Sequence, residues 1–77
     1  MKKIEIYLDT FEKIKSFVNT TYNLDYELDL ISGRYVVDGK SIMGIFSLDL
    51  TQPIEVRIVK AAEGTAPFPK ELEEFMI

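Results

Sequence analysis

The side chains that could do chemistry in this chain are hydroxyls, carboxylates and amines, because its 77 residues include no histidine and no cysteine. The missing histidine removes the commonest general base and transition-metal ligand. The missing cysteine removes thiolate chemistry and disulfides. A domain of this length also has little room to enclose a substrate pocket. We therefore expect no enzymatic activity, no cofactor and no metal centre.

Carboxylates are the most frequent of these groups, but their spacing indicates solvent-facing positions. Asp25, Glu27 and Asp29 alternate with apolar residues, which places them on the outer face of one strand, whereas hard cations usually draw their ligands from loops. The net charge of −4, from 13 acidic against nine basic residues, argues against nucleic acid as a partner.

The composition is that of one packed domain spanning residues 1–77, since hydrophobic residues make up 47% of the chain. Glu5 and Asp9 interrupt any apolar core of a signal peptide, and no apolar run approaches the ~20 residues of a membrane span. We therefore expect a cytoplasmic protein that does not associate with membranes.

Four segments alternate apolar and polar residues, the pattern of half-buried strands. A Ser-Gly turn separates the second from the third, which predicts a hairpin. The predicted strands are Lys3–Leu8, Asp25–Ile31, Arg34–Val37 and Ile54–Val59.

Three further segments have helical spacing or helix-start signals. The first begins after a cap at Asp9 or Thr10 and ends near Asn23, the second follows Ser41 and ends near Asp49 or Leu50, and a short third begins at Pro69. The apolar residues expected to face the sheet are Phe11, Ile14, Phe17, Val18 and Thr21 or Tyr22 in the first helix, and Leu72, Phe75 and Met76 in the third.

The resulting order, β-α-β-β-α-β-α, predicts an α+β fold with a four-stranded antiparallel sheet and its helices on one face, an open-faced β-sandwich. Within this order the segment Lys40-Ser41-Ile42-Met43-Gly44-Ile45-Phe46-Ser47-Leu48-Asp49 resembles the second helix of HPr, the small phosphocarrier of the bacterial sugar phosphotransferase system. The likeness is dense from Gly33 to Leu50 and extends by element order from Ile4 to Val59. It implies an HPr-like fold.

The resemblance stops at the carrier site. In HPr the phosphorylated histidine lies in a Gly-x-His-Ala-Arg-Pro-Ala segment at the start of the first helix. The segment Leu8–Lys13 has no glycine, histidine, arginine or proline, and the hydroxyl of Thr10 is a poor acceptor without an activating base. We therefore expect a degenerate family member without phosphocarrier activity.

What the resemblance does carry over is the serine. Ser41 matches the residue that HPr kinase/phosphorylase modifies, and the modified protein acts in that family as a corepressor for a catabolite-control transcription factor. The first amides of the helix and the neighbouring Lys40 would favour a phosphate there. The alternative is that Ser41 is only a helix cap.

The resemblance also implies a surface for protein partners on the second helix. The counterparts of the docking residues are Ile42, Met43 and Phe46, with Lys40 beside them, unless one or two of the apolar three point into the core. The partners would be HPr kinase, a transcriptional regulator or a phosphotransferase enzyme. We expect a regulatory protein acting through the Ser41 helix; the alternatives are a phosphocarrier-type member using another acceptor, or a binding module unrelated to sugar transport.

Overall fold

The computed structural model describes residues 4–66 and 68–76, and the elements follow the predicted β-α-β-β-α-β-α order. The last helix has 3₁₀ geometry. The elements are β1 (Ile4–Ile6), α1 (Phe11–Tyr22), β2 (Tyr26–Ser32), β3 (Tyr35–Asp38), α2 (Ile42–Phe46), β4 (Ile54–Ala61) and the 3₁₀ helix (Lys70–Phe75). The α+β class is thereby confirmed.

The four strands form one open sheet in the order β1-β4-β2-β3, and every neighbouring pair is antiparallel. Leu30 lies at the centre of the sheet, opposite Val56 of β4 on one side and Val37 of β3 on the other. The sheet therefore has two edges, β1 and β3.

One face of the sheet carries the core. Residues that alternate along β1, β2 and β4 are buried together with residues from all three helices, so the helices share this face. Phe17 of α1 meets Phe75 of the 3₁₀ helix edge to face, with ring centroids 5.3 Å apart. The architecture is compatible with an open-faced sandwich. The core comprises Ile6, Leu8, Ile14, Phe17, Tyr26, Leu28, Leu30, Ile45, Leu48, Ile54, Val56, Leu72 and Phe75.

The start of α1 matches one of the two predicted caps, but the side chain that follows is not where the spacing predicts. Thr10, not Asp9, is the N-cap, and its hydroxyl accepts from the Lys13 amide at 3.1 Å. The prediction that Phe11 packs on the sheet is wrong, because its side chain is 54% exposed. Of the two candidates at the other end of the helix, Thr21 is buried and Tyr22 is exposed.

A two-residue turn connects β2 to β3. Gly33 has a φ of +58°, and Arg34 has no positive φ. A positive φ at the first central residue alone is the pattern of a type II′ turn, whose twist suits a tight hairpin. Glycine at position 33 is what permits this conformation.

Several predicted boundaries move by a few residues. The second helix ends at Phe46 instead of near Asp49. It ends there because the next backbone hydrogen bond, from the Ser47 amide to the Gly44 carbonyl, joins residues three apart instead of four. Leu72 and Phe75 of the 3₁₀ helix are buried as predicted, whereas the prediction that Met76 faces the sheet is wrong, because this residue follows the helix and is 42% exposed. The predicted strand residue Lys3 lies outside the described residues.

In the described ranges, no helix is long and apolar enough to cross a membrane.

Candidate functional site

The short helix α2 begins at a well-formed serine cap. The Ser41 Oγ accepts from the Gly44 amide at 3.1 Å, and the Ser41 carbonyl accepts from the Ile45 amide at 3.0 Å. The Ser41 amide donates to the carbonyl of Asp38 at the end of β3, also at 3.0 Å. The sequence forms a helix here because this hydroxyl satisfies an amide that would otherwise lack a partner.

Gly44 lets α2 lie close to β3. A β-carbon at this position would stand 3.1 Å from Val37 Cβ and 3.3 Å from Ser41 Oγ, closer than ordinary van der Waals contact. The absence of a side chain at Gly44 therefore permits the short distance between α2 and the sheet. It also keeps space around the Ser41 hydroxyl.

Lys40 anchors the chain immediately before the cap. Its amide donates to Asp38 Oδ1 at 2.9 Å, and its ammonium donates to the Leu24 carbonyl at 3.0 Å. The side chain thus ties the start of α2 to the connection between α1 and β2. A partner that uses the Lys40 charge has to compete with this hydrogen bond.

The apolar residues of α2 divide between the core and solvent. Ile45 is fully buried, and Ile42 is half-buried against the core. Met43 is 76% exposed and Phe46 is 45% exposed. Of the three predicted docking residues, Ile42 therefore turns partly inward, while Met43 and Phe46, three residues apart, share the outer surface of the helix.

An exposed aromatic residue of α1 enlarges this surface. Phe11 stacks on Phe46 with ring centroids 5.9 Å apart and an interplanar angle of 21°. Lys15 places its ammonium 5.6 Å from the Phe11 ring centroid, within the range of a cation–π contact. We call the exposed residues Phe11, Met43 and Phe46 the α2 patch.

Sequence reasoning missed Phe11 and Lys15 as members of this site. Phe11 has the spacing of a core residue, three positions before Ile14, so helical periodicity assigns it to the sheet. Its contact with Phe46 spans two elements, and no local pattern in the sequence signals it.

The side chains at the start of α1, where the resemblance to HPr would place a histidine, form an ion pair and a helix cap. Asp9 forms an ion pair with Lys13 at 2.9 Å, and the Lys13 hydrogen bond holds the pKa of Asp9 below its usual value of 3.8. A carboxylate with a lowered pKa is a weaker general base. Asp9 is therefore poorly suited to activate the adjacent hydroxyl of Thr10, which already accepts from an amide.

The remaining polar groups of residues 4–66 and 68–76 do not form a ligand or metal site. A cleft of about 670 Å³ lies between the β2–β3 turn and the α2–β4 connection and includes Arg34 and Asp49. Thr51 donates to Asp49 from its hydroxyl at 2.6 Å and thereby lowers the pKa of that carboxyl. Across residues 4–66 and 68–76, no three carboxylates gather into a group able to hold a metal ion.

No family model matches the sequence, and neither a curated protein nor a solved structure matches the chain. Function is therefore inferred from α2 and the residues around it. These offer an exposed apolar surface, a capped serine hydroxyl and a nearby lysine. An exposed apolar surface of this kind suits the binding of another protein.

Proposed function

We propose that this protein is a regulatory, HPr-like member of the phosphotransferase system that has no phosphocarrier activity and acts by binding other proteins through α2. The observation that carries the proposal is the exposure of the α2 patch. Met43 keeps 76% and Phe11 keeps 54% of its surface accessible, beside an aromatic stack. Methionine and aromatic residues are enriched in protein interfaces, where a few well-packed side chains supply most of the binding energy.

The patch also defines the chemistry of its partner. Stacked rings form a firm apolar surface, and the flexible Met43 side chain adapts to the shape it meets. Lys15 borders this surface through its contact with Phe11. The partner should therefore offer an apolar groove with a carboxylate at the rim, on HPr kinase, a transcriptional regulator or a phosphotransferase enzyme.

Phosphorylation of Ser41 would change the charge immediately beside the patch. A phosphoryl group carries about −1.5 to −2 charges at neutral pH and can accept from backbone amides. The Ser41 Oγ already lies 3.1 Å from the Gly44 amide, so a phosphate oxygen would have a donor close by. Lys40 would add a second donor, and the only cationic one of the two, if its ammonium released the Leu24 carbonyl.

A second candidate function is a binding module unrelated to sugar transport. It is favoured by the structural use of Ser41 and Gly44, which cap α2 and let it approach Val37. In this case the likeness to HPr would reflect packing, and Ser41 would have no kinase. The two candidates share the α2 patch and differ in the role of Ser41.

The experiment that tests the proposal is an NMR titration of the ¹⁵N-labelled protein with HPr kinase/phosphorylase. We expect the amide signals of Met43 and Phe46 to shift. Met43→Glu should weaken binding at least about tenfold, since it places a charge in the centre of the patch. Val59→Glu is the matched control, because Val59 is 53% exposed on β4, outside the patch.

Absence of binding by the folded protein would contradict membership in this regulatory system. Equal weakening by Met43→Glu and Val59→Glu would contradict binding through α2. Binding that depends on Met43 but transfers no phosphoryl group to Ser41 would leave the α2 patch as the docking surface and contradict a regulatory role for Ser41.

A further inference from the structure

The two edges of the sheet differ in whether another segment of the chain pairs with them. At the β1 edge, the Tyr7 amide donates to the Phe75 carbonyl at 3.0 Å, and Ile6 forms a bridge with Met76. Phe75 and Met76 therefore pair with the end of this edge. At the β3 edge no strand among residues 4–66 and 68–76 pairs with the outer side, and Tyr35 and Val36 are 67% and 55% exposed.

The hairpin register identifies the backbone groups that are available at the β3 edge. The Gly39 amide donates to the Leu28 carbonyl at 2.8 Å. Bonded pairs alternate with non-bonded pairs along an antiparallel ladder, so Leu30–Val37 is bonded and Ile31–Val36 is not. The N–H and C=O of Val36 consequently point away from β2, towards solvent.

Two side chains of opposite charge flank Val36 at equal spacing in the sequence. Asp38 lies two residues after Val36 on the same face of β3, and Arg34 lies two residues before Val36, in the β2–β3 turn. Asp38 lies opposite another carboxylate, Asp29, in β2. Arg57 of β4 lies opposite Asp29 on its other side, and a positive charge on the outer side of Asp38 would give this second carboxylate a cation in the same way.

We propose that two copies of this chain pair antiparallel through their β3 edges, with Val36 opposite Val36 of the second copy. In this register Arg34 of each copy faces Asp38 of the other. The outward N–H and C=O of the two Val36 residues exchange hydrogen bonds, as a two-fold axis at a bonded pair requires. The two four-stranded sheets become one continuous sheet.

A second copy fits this edge better than an unrelated strand because Arg34 and Asp38 are complementary in charge and the outward N–H and C=O of Val36 can pair with those of a second Val36. The Asp38 carbonyl already accepts from the Ser41 amide. Two-fold pairing also closes the assembly, since each edge is used once. The β3 strand has only four residues, so the interface is small and the dimer should be weak and concentration-dependent.

Sedimentation equilibrium of the full chain, from about 10 μM to about 1 mM, tests the proposal across the range of weak association. The average mass should rise from 8.9 kDa towards twice that value. Val36→Pro removes an N–H that faces away from β2, a place where an edge strand tolerates proline. It should raise the dissociation constant at least about tenfold, whereas Val36→Thr, which keeps the N–H, should leave it within about threefold.

A charge exchange provides a second test that does not depend on proline. Arg34→Asp alone, and Asp38→Arg alone, should each abolish self-association by placing like charges opposite each other. Mixing the two variants should restore association between unlike copies. Arg34 is exposed in the turn, and circular dichroism checks that each variant is folded.

Three results would overturn the proposal. The first is a mass that stays at 8.9 kDa up to about 1 mM, which would leave the edge to a strand of another protein. The second is a dimer that a folded Val36→Pro variant leaves intact. If the Val36→Pro variant does not fold, the mixing experiment is the deciding test. The third result is therefore failure of the mixed Arg34→Asp and Asp38→Arg variants to associate.

Discussion

The two helices α1 and α2 begin in the same way and present different surfaces. Thr10 and Ser41 each cap a helix, and each hydroxyl accepts from an amide three residues later at 3.1 Å. The helix after Thr10 has 12 residues and buries Ile14, Phe17 and Thr21. The helix after Ser41 has five residues and buries only Ile45.

The difference shows that a capping residue marks where a helix starts but does not reveal what the helix is for. Burial separates the two roles. Most apolar residues of α1 contribute to the core, whereas Met43 and Phe46 of α2 remain accessible to a partner. A helix of five residues also depends more on its cap and on tertiary packing, because so few internal hydrogen bonds support it.

The largest expected effect contrasts two phenylalanines. Phe17 is fully buried, so Phe17→Ala should lower the free energy of unfolding by about 3–5 kcal/mol, through lost burial and a cavity. Phe46→Ala should cost about 1 kcal/mol or less, because this ring is 45% exposed and loses mainly its stack on Phe11. Urea denaturation measures both, and equal losses would contradict the assignment of Phe46 to a surface.

The next largest effect concerns the one buried polar side chain among the described residues, Thr21. Its hydroxyl donates to the Gly39 carbonyl at 3.0 Å, which joins α1 to the connection before α2. Thr21→Val keeps the shape and leaves that carbonyl without this donor, so it should cost about 1–3 kcal/mol. Thr20→Val provides the same change of residue type one position earlier; an equal loss there would mean that the hydrogen bond is unimportant.

A smaller effect is expected from the two caps. Thr10→Ala and Ser41→Ala should each cost about 0.5–2 kcal/mol in urea denaturation, because each leaves an amide without its side-chain acceptor. Ser41→Asp should recover most of the loss, since aspartate is also a good cap. If Ser41→Ala leaves stability unchanged, the capping role of Ser41 is wrong and only a regulatory role remains for its hydroxyl.

The smallest effect is electrostatic and belongs to α1. The Lys13 hydrogen bond lowers the pKa of Asp9, so the pair stabilises the folded state above the ordinary pKa of 3.8, and this is lost as the pH falls through the lowered value. An NMR titration should place the Asp9 carboxyl below 3.8, and Lys13→Met should move it up. No change in Lys13→Met would show that the ion pair does not persist in solution.

Much of the fold could be predicted from the sequence because its strongest signals are local. Alternation located the strands, and Ser41 located the start of α2. The end of α2 could not be predicted, since Ser47 and Leu48 could continue a helix and only the tightened hydrogen bonds of the folded chain stop it at Phe46. The pairing of Phe75 and Met76 with the end of the β1 edge is likewise a contact between distant residues.

The candidate site was partly predictable for the same reason. The exposed side of α2 followed from a local motif, which supplied Met43 and Phe46. Phe11 was assigned to the core because periodicity reports which face of a helix a residue occupies, and the first turn of α1 meets α2 rather than the sheet at this point. The HPr-like function stays a prediction.

The most direct test of the central claim is intact-mass spectrometry after incubation with ATP and HPr kinase/phosphorylase. We expect one added phosphoryl group that is absent in Ser41→Ala, added slowly in Met43→Glu and added normally in Val59→Glu. No addition to the folded protein, or addition that persists in Ser41→Ala, would contradict regulation through the Ser41 helix.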